Sequence, residues 1–359
     1  MGCPFTIPPS IFDRILRVIA TEGYTTLTAA ELVEIAADRR SPPPRACVLT
    51  FDDGYADNFV YAHPILTRHG MRASVFVIPA RVASGPSRPT LEQAWRGEIL
   101  PTSLYRLPDF DKANLAMLEG GEPGRDHATA EELIAMHRSG VIEVESHGTD
   151  HGCHFVSSQL RGFLAPRSHW TARWALGCRR RLGMPLYEIN SSLVRPRYAP
   201  PSGLAEALAD AAEVKGLDPG APASSERLTT LYQAMREHGG QGEMEAECAW
   251  SSMMEESLTG GRATLGALSG ALPTAIAWPF GRWSDPGWTV ASRVGYRIGF
   301  ASRGGGYVDG MTLGGVGRIN LKGVTVDGFR RLLLRYSERR EVEAAIGEKR
   351  PDRPLEYAL

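Results

Sequence analysis

Apolar positions recur at helical spacing near the start of the chain, where Ile11, Ile15, Leu16, Val18 and Ile19 share a face between Pro9 and Glu22. Ser10 suits an N-cap and Gly23 a stop. A second helical pattern covers Thr28 to Ala37, and Pro42-Pro43-Pro44 forms a stiff lead into an apolar run, Ala46 to Phe51, that predicts a strand. Asn58 to His69 again has helical period until Gly70, and Ala73 to Ile78 reads as a short buried strand. Strand, helix, strand is the unit of a parallel α/β sheet.

The pattern then loosens. About 81 to 125 is rich in Gly and Pro with only short periodic pieces, which predicts a long excursion that shapes access to a site. Thr129 to His137 predicts a helix with Glu131 and Glu132 in its first turn and Gly140 beyond its end, followed by a strand from Val141 to Val144. From His151 to about Glu245 the pattern is irregular, with helical pieces only at Leu204 to Val214 and Glu226 to His238. Regular alternation returns with a helix over Met254 to Leu268, a strand over Ala275 to Trp278, a helix from Asp285 to Val294 and a strand led by Gly295. Gly304-Gly305-Gly306 predicts a flexible turn, Val316 to Leu321 a final strand, and 341–359 a charge-rich tail.

Composition narrows the function classes. A chain of 359 residues, 43% hydrophobic, can bury a large core, and a net charge of −1 offers no footprint for nucleic acid or an anionic membrane. Five scattered cysteines without Cys-x-x-Cys spacing argue against a disulfide framework and a cysteine zinc site, which points to a reducing, cytoplasmic location. No stretch approaches eighteen uninterrupted apolar residues, so no membrane span or signal peptide is expected. Met1 to Thr6 fits the N-myristoylation pattern, which with no second membrane signal is treated as coincidence.

Candidate chemistry lies where two apolar runs stop. Val48-Leu49-Thr50-Phe51 ends at Asp52-Asp53-Gly54, and adjacent carboxylates raise each other's pKa unless a positive charge sits between them. Val141 to Val144 leads to Ser146-His147-Gly148-Thr149-Asp150-His151, whose two imidazoles are four residues apart. Asp53, His147 and His151 together would form a two-histidine, one-carboxylate site for a divalent ion, with positions open for water and substrate. Zinc comes first, although the set suits cobalt, nickel and iron alike. Asp52 would be left free as a base.

At these residues the chain resembles the polysaccharide deacetylase family, also called the NodB-homology or carbohydrate esterase 4 family. Its Thr-Phe-Asp-Asp-Gly motif is matched by Thr50 to Gly54 and its His-x-x-x-His motif by His147 to His151. The resemblance implies Asp52 as general base and Asp53, His147 and His151 as metal ligands. It also implies a distorted parallel (β/α) barrel, NodB-type and TIM-like, over 1–340, with 154–245 as an insertion within it; because that segment leaves directly after the second motif, it is expected to cover the metal cleft. The opening segment is similar to the branch acting on surface polysaccharides, as is Ala275-Ile276-Ala277-Trp278-Pro279-Phe280-Gly281. Trp278 and Pro279 then become groove wall, and the Phe280 N–H an oxyanion donor. Arg318 has a counterpart in that branch, and two readings of it stay open: it orients Asp52 or it pairs with a surface acid. Arg195-Pro196 and Tyr198 loosely match a third motif. Trp170, Trp174 and Tyr198 are of the type that stacks on sugar rings.

The implied reaction is metal-dependent hydrolysis of an N-acetyl group on an amino sugar of a glycan or glycoconjugate. Two alternatives stay open: hydrolysis of another C–N bond, in a cyclic amide or imide, and an inactive carbohydrate-binding or assembly protein. The second is prompted by a departure from the family, since no histidine follows His238 to serve as general acid, leaving His154 and His169 as the nearest candidates.

Overall fold

Six parallel strands form the central sheet of the computed structural model, which describes residues 7–38, 40–106, 126–302, 313–321 and 323–346. The first five strands of the chain are β1 (Thr25–Leu27), β2 (Ala46–Val48), β3 (Thr50–Phe51), β4 (Ala73–Val77) and β5 (Ile142–Ser146). The middle region supplies β6 (Cys153–Phe163), β7 (Pro185–Ser191), β8 (Tyr198–Ala199) and β9 (Glu243–Met244). The chain returns to the sheet with β10 (Ala275–Ala277), β11 (Ile298–Ala301) and β12 (Val316–Gly317). The order across the sheet is β12-β11-β10-β5-β4-β3, with β1 and β2 as a separate parallel pair. With its flanking helices this is a distorted (β/α) barrel, as the sequence predicts.

Burial on both faces explains the continuous apolar runs. Every residue of β4 is buried, as expected for a parallel strand covered on each side. Val75 and Val77 join Ile15, Leu16 and Ile19 of the Pro9–Thr21 helix and Ile65 and Leu66 of the His63–His69 helix. Phe76 points the other way, to Phe300, Ala275 and Leu32 of the Ala29–Ala37 helix. Thr28 and Thr129 each open a helix with a capping box, completed by Glu31 and Glu132.

Several elements differ from the sequence reading. The run Ala46 to Phe51 is two strands, because β2 pairs with β1 while β3, after Leu49, pairs with β4. A continuous apolar run suits either partner, so the pattern does not show the change. Asn58–Ala62 is a π-helical turn before the α-helix His63–His69. The Met254 to Leu268 helix extends over Glu247–Ser269, and the last helix, Val326–Ile346, runs into the predicted tail. Gly304 to Gly306, the Met1 to Thr6 match and part of the 81–125 excursion lie outside the described residues.

The middle region is more ordered than its pattern. β6 and β7 form an antiparallel hairpin whose register shifts between Phe155 and Leu160 and again before Gly162. Those bulges erase the simple alternation that would have marked β6. Helices Leu204–Val214 and Pro222–Gly239 complete a core of its own, with Phe155, Phe163, Tyr187, Leu208 and Leu228 buried together.

Candidate metal centre and active site

The site residues leave the C-terminal ends of four strands, the face on which barrel enzymes place their chemistry. Asp52 and Asp53 follow β3, His147 follows β5, Phe280 follows β10 and Arg318 follows β12. Asp53 and His151 adopt left-handed backbone, at φ 67° and 59°. Neither is glycine, so the fold holds strain where it places two ligands.

Nε2 of His147 lies 3.4 Å and Nε2 of His151 3.7 Å from Oδ1 of Asp53. One donor atom from each of the three residues falls within 4.8 Å of the others. His147 Nδ1 is 2.8 Å from the carbonyl oxygen of Ala277. A carbonyl only accepts, so Nδ1 carries the proton and Nε2 turns its lone pair toward the Asp53 carboxylate. Two electron-rich atoms facing each other need a cation between them. Burial pushes the His151 imidazole well below its usual range, with the Arg81 charge adding to it, so this ring stays neutral as a metal ligand must. The donor set therefore fits a divalent ion.

Asp52 and Asp53 are pushed apart. Burial raises the Asp53 pKa and the Asp52 charge adds to that, against His147 and Arg81. Burial also acts to raise Asp52, but Arg318 outweighs it, His147 helps, and the carboxyl is held down at about 2. Arg318 grips Asp52 with both arms, Nη1 to Oδ1 at 2.6 Å and Nη2 to Oδ2 at 2.8 Å. Of the two readings of Arg318, the structure shows the pair with Asp52.

Phe280 sits at φ 60°, and its N–H makes no hydrogen bond among the described residues. Its ring centroid is 4.4 Å from that of His151 and 5.9 Å from that of Trp170, which itself lies 6.3 Å from His151. The middle region therefore reaches the metal triad through Trp170. That indole is only 4% exposed, so it is a wall of the site rather than an open stacking platform.

Three residues expected to face the substrate are buried instead. Tyr198 is buried in the core of the middle region, edge-on to Tyr187 at 5.3 Å. Trp278 is fully buried, with its indole N–H donating to the Gly314 carbonyl at 2.7 Å. Pro279 is buried against Gly148 of the histidine loop. In each case an aromatic or proline near a motif serves packing, and burial removes the face a sugar would touch. His154 bonds the Arg195 carbonyl, and His169 caps the Trp170–Leu176 helix.

Arg81 escaped the sequence reading. It is 2% exposed, three residues past Ile78, and its charge bears on Asp53 and His151. Its signal was position alone, just beyond the C-terminal end of β4.

Comparison with known proteins agrees with this barrel. Residues 39–161, about a third of the chain, match the family model described as polysaccharide deacetylase. YxkH of Bacillus subtilis, a polysaccharide deacetylase by name, is 34% identical over 77 residues, 21% of this chain and 28% of that protein. The matched stretch thus spans just over a quarter of the relative. Among solved structures, the de-N-acetylase of Aggregatibacter actinomycetemcomitans superposes with a TM-score of 0.56 at 15% identity, covering 92% of each chain. The Streptococcus pyogenes deacetylase PplD gives 0.49 at 14% identity, covering 90% of this chain and 86% of that one. At 15% identity the likeness to the Aggregatibacter enzyme is one of fold.

Proposed function

We propose that this protein is a metal-dependent hydrolase that removes an N-acetyl group from an amino sugar of a polysaccharide or glycoconjugate. The observation that carries the reading is the pairing of the Asp53, His147 and His151 triad with a neighbouring carboxylate, Asp52, kept ionised by Arg318. A divalent ion held by the triad, zinc first among those that suit it, would supply Lewis acidity and lower the pKa of water.

Asp52 accepts the proton of the attacking water, and Arg318 fixes its oxygens so that the carboxylate does not turn away. The Phe280 N–H, which bonds to no described residue, donates to the oxygen on which charge develops. Trp170 and Phe280 close the sides and exclude water. The scattered cysteines, with Cys47, Cys153, Cys178 and Cys248 free, support a cytoplasmic location. No helix among the described residues is long and apolar enough to cross a membrane.

The test is a substrate panel run on metal-loaded protein and on Asp52→Asn. Acetate released from N-acetylglucosamine compounds by the wild type alone supports the proposal. Ring opening of cyclic amides or imides without acetate release assigns the other C–N chemistry, and binding of glycans without turnover assigns the inactive reading.

A further inference from the structure

Arg81 is a buried positive charge beside a site suited to a cation, and the mechanism above does not use it. Its place follows from the sheet. The order β5-β4-β3 sets β4 between the strands that lead to Asp53 and to His147, and Arg81 closes the 3-10 turn Pro79–Arg81 just past β4. Backbone bonds fix this turn to both ligand loops. The Ala80 N–H donates to the Thr149 carbonyl, between His147 and His151, at 3.0 Å. The Ala83 N–H donates to the Ala128 carbonyl at 3.0 Å, and the Ala128 N–H to the Gly54 carbonyl, next to Asp53, at 2.8 Å.

The guanidinium itself stands against the wall of the site. Its Cζ lies 5.8 Å from the centre of the Trp174 ring, which meets Trp170 edge-on at 6.2 Å, and Trp170 lies 6.3 Å from His151. From there its charge acts on both Asp53 and His151. Taking a guanidinium out of water costs free energy, and beside a bound divalent ion it is repelled as well. A stack on Trp174 is a modest gain against these. The same field favours negative charge at the coordination positions that the triad does not fill. Hydrolysis of an acetamide leaves a carboxylate, the class of anion that would meet this field.

We infer that Arg81 is a positioning residue of the metal centre, whose charge weakens the hold on the divalent ion and strengthens the hold on a small carboxylate beside it. The inference rests on the triad holding an ion, as the deacetylase reading has it, and not on which amide is cut.

The test compares wild type with Arg81→Met, Arg81→Gln and Arg81→Lys. Zinc dissociation constants are measured by competition with a chelator, and acetate dissociation constants by calorimetry on the zinc-saturated proteins. The uncharged variants should bind zinc about tenfold or more tighter and acetate about tenfold or more weaker, while Arg81→Lys restores the wild-type values. Trp174→Leu, which removes the ring and keeps the charge, should leave both constants unchanged. A structural role would move the two constants the same way, since a disordered site loses ion and anion alike. Only the opposed shifts therefore support the inference, and any other result in a folded uncharged variant overturns it while the deacetylase reading stands. Failure of both uncharged variants to fold overturns it too, because the charge is then a need of the fold. Zinc bound by neither wild type nor any variant would sink the metal reading itself, and the inference with it.

Discussion

Arg318 and Asp52 form a two-pronged pair across the mouth of the barrel, joining the end of β12 to the end of β3 at 2.6 and 2.8 Å. The pair is separated by more than 260 residues of sequence, |i−j| being 266. It sets the two adjacent carboxylates apart, and the proposed base is the one Arg318 holds. Asp53 turns to the imidazoles and Asp52 to the guanidinium, so identical side chains acquire opposite pKa shifts.

Removing the guanidinium should therefore change a pH profile and not only a rate. In Arg318→Gln, burial acts on Asp52 unopposed by its strongest partner, its pKa rises from about 2, and the acid limb of kcat/KM moves to higher pH. The sign for stability follows from the same shift. A depressed native pKa stabilises the fold fully above the unfolded value, about 3.9, and that part is lost as pH falls toward the native value. An unchanged acid limb in the variant would place the base elsewhere.

The triad makes a second prediction. His147→Ala combined with His151→Ala should abolish divalent-metal binding measured by elemental analysis, while Asp52→Asn keeps the metal and loses at least about a hundredfold in activity, the scale of a general base. Full metal stoichiometry in the double variant would exclude this site. A loss of less than tenfold in Asp52→Asn would remove that residue from the mechanism.

A third prediction concerns a carboxylate away from the chemistry. Glu145 of β5 is buried and accepts the Thr274 and Ala275 N–H groups, each at 2.9 Å, at the start of β10. Burial pushes its pKa well above the usual range, with the Glu143 charge adding to it. A raised native pKa means that stability is greatest at low pH and declines as pH rises from the unfolded value, about 4.3, through the native one. Glu145→Gln should flatten that decline in Tm measured between about pH 4 and 8, relative to wild type. Parallel curves for the two proteins would show that Glu145 does not carry it.

How much of this was legible depended on whether a residue's role was local. Asp53, His147 and His151 stand out because each motif sits within a few positions of a strand end, and strand ends follow from apolar runs. The two parallel partners of Ala46 to Phe51 did not show, since β1 is only three residues long. Aromatic residues misled for a different reason. Trp170 and Tyr198 look alike in sequence, yet one abuts His151 and the other sits in a satellite core, a difference set by the bulged hairpin that the pattern hid.

That difference is measurable. Tyr198→Ala should lower stability by about 3–5 kcal/mol, the range for truncating a buried aromatic ring, with KM unchanged in the protein that stays folded. Trp170→Ala should instead reduce kcat/KM by about tenfold or more with metal content kept, because it removes a wall beside His151. A raised KM in Tyr198→Ala at normal thermal stability would return that residue to the substrate.

The oxyanion assignment rests on backbone rather than on a side chain, so its test has to move the backbone. Gly281 follows Phe280 at φ 63°, also left-handed, and its N–H donates to the Trp278 carbonyl at 2.8 Å while its own carbonyl accepts from Ser302 N at 3.1 Å. A Cβ on Gly281 would stand 1.6 Å from Ser302 Oγ, far inside contact distance. Gly281→Ala must therefore shift the turn and with it the Phe280 N–H. Losing one such donor costs about 10²–10³ in kcat, and that is the loss expected here, with the metal retained because Asp53, His147 and His151 come from other strands. Phe280→Ala is the counterpart. It keeps the N–H and the neighbouring glycine, so it should lose less than tenfold, mostly through the missing ring against His151. If Gly281→Ala is as active as wild type, or if Phe280→Ala is the more damaged of the two, the donor is not this N–H and the ring itself carries the effect.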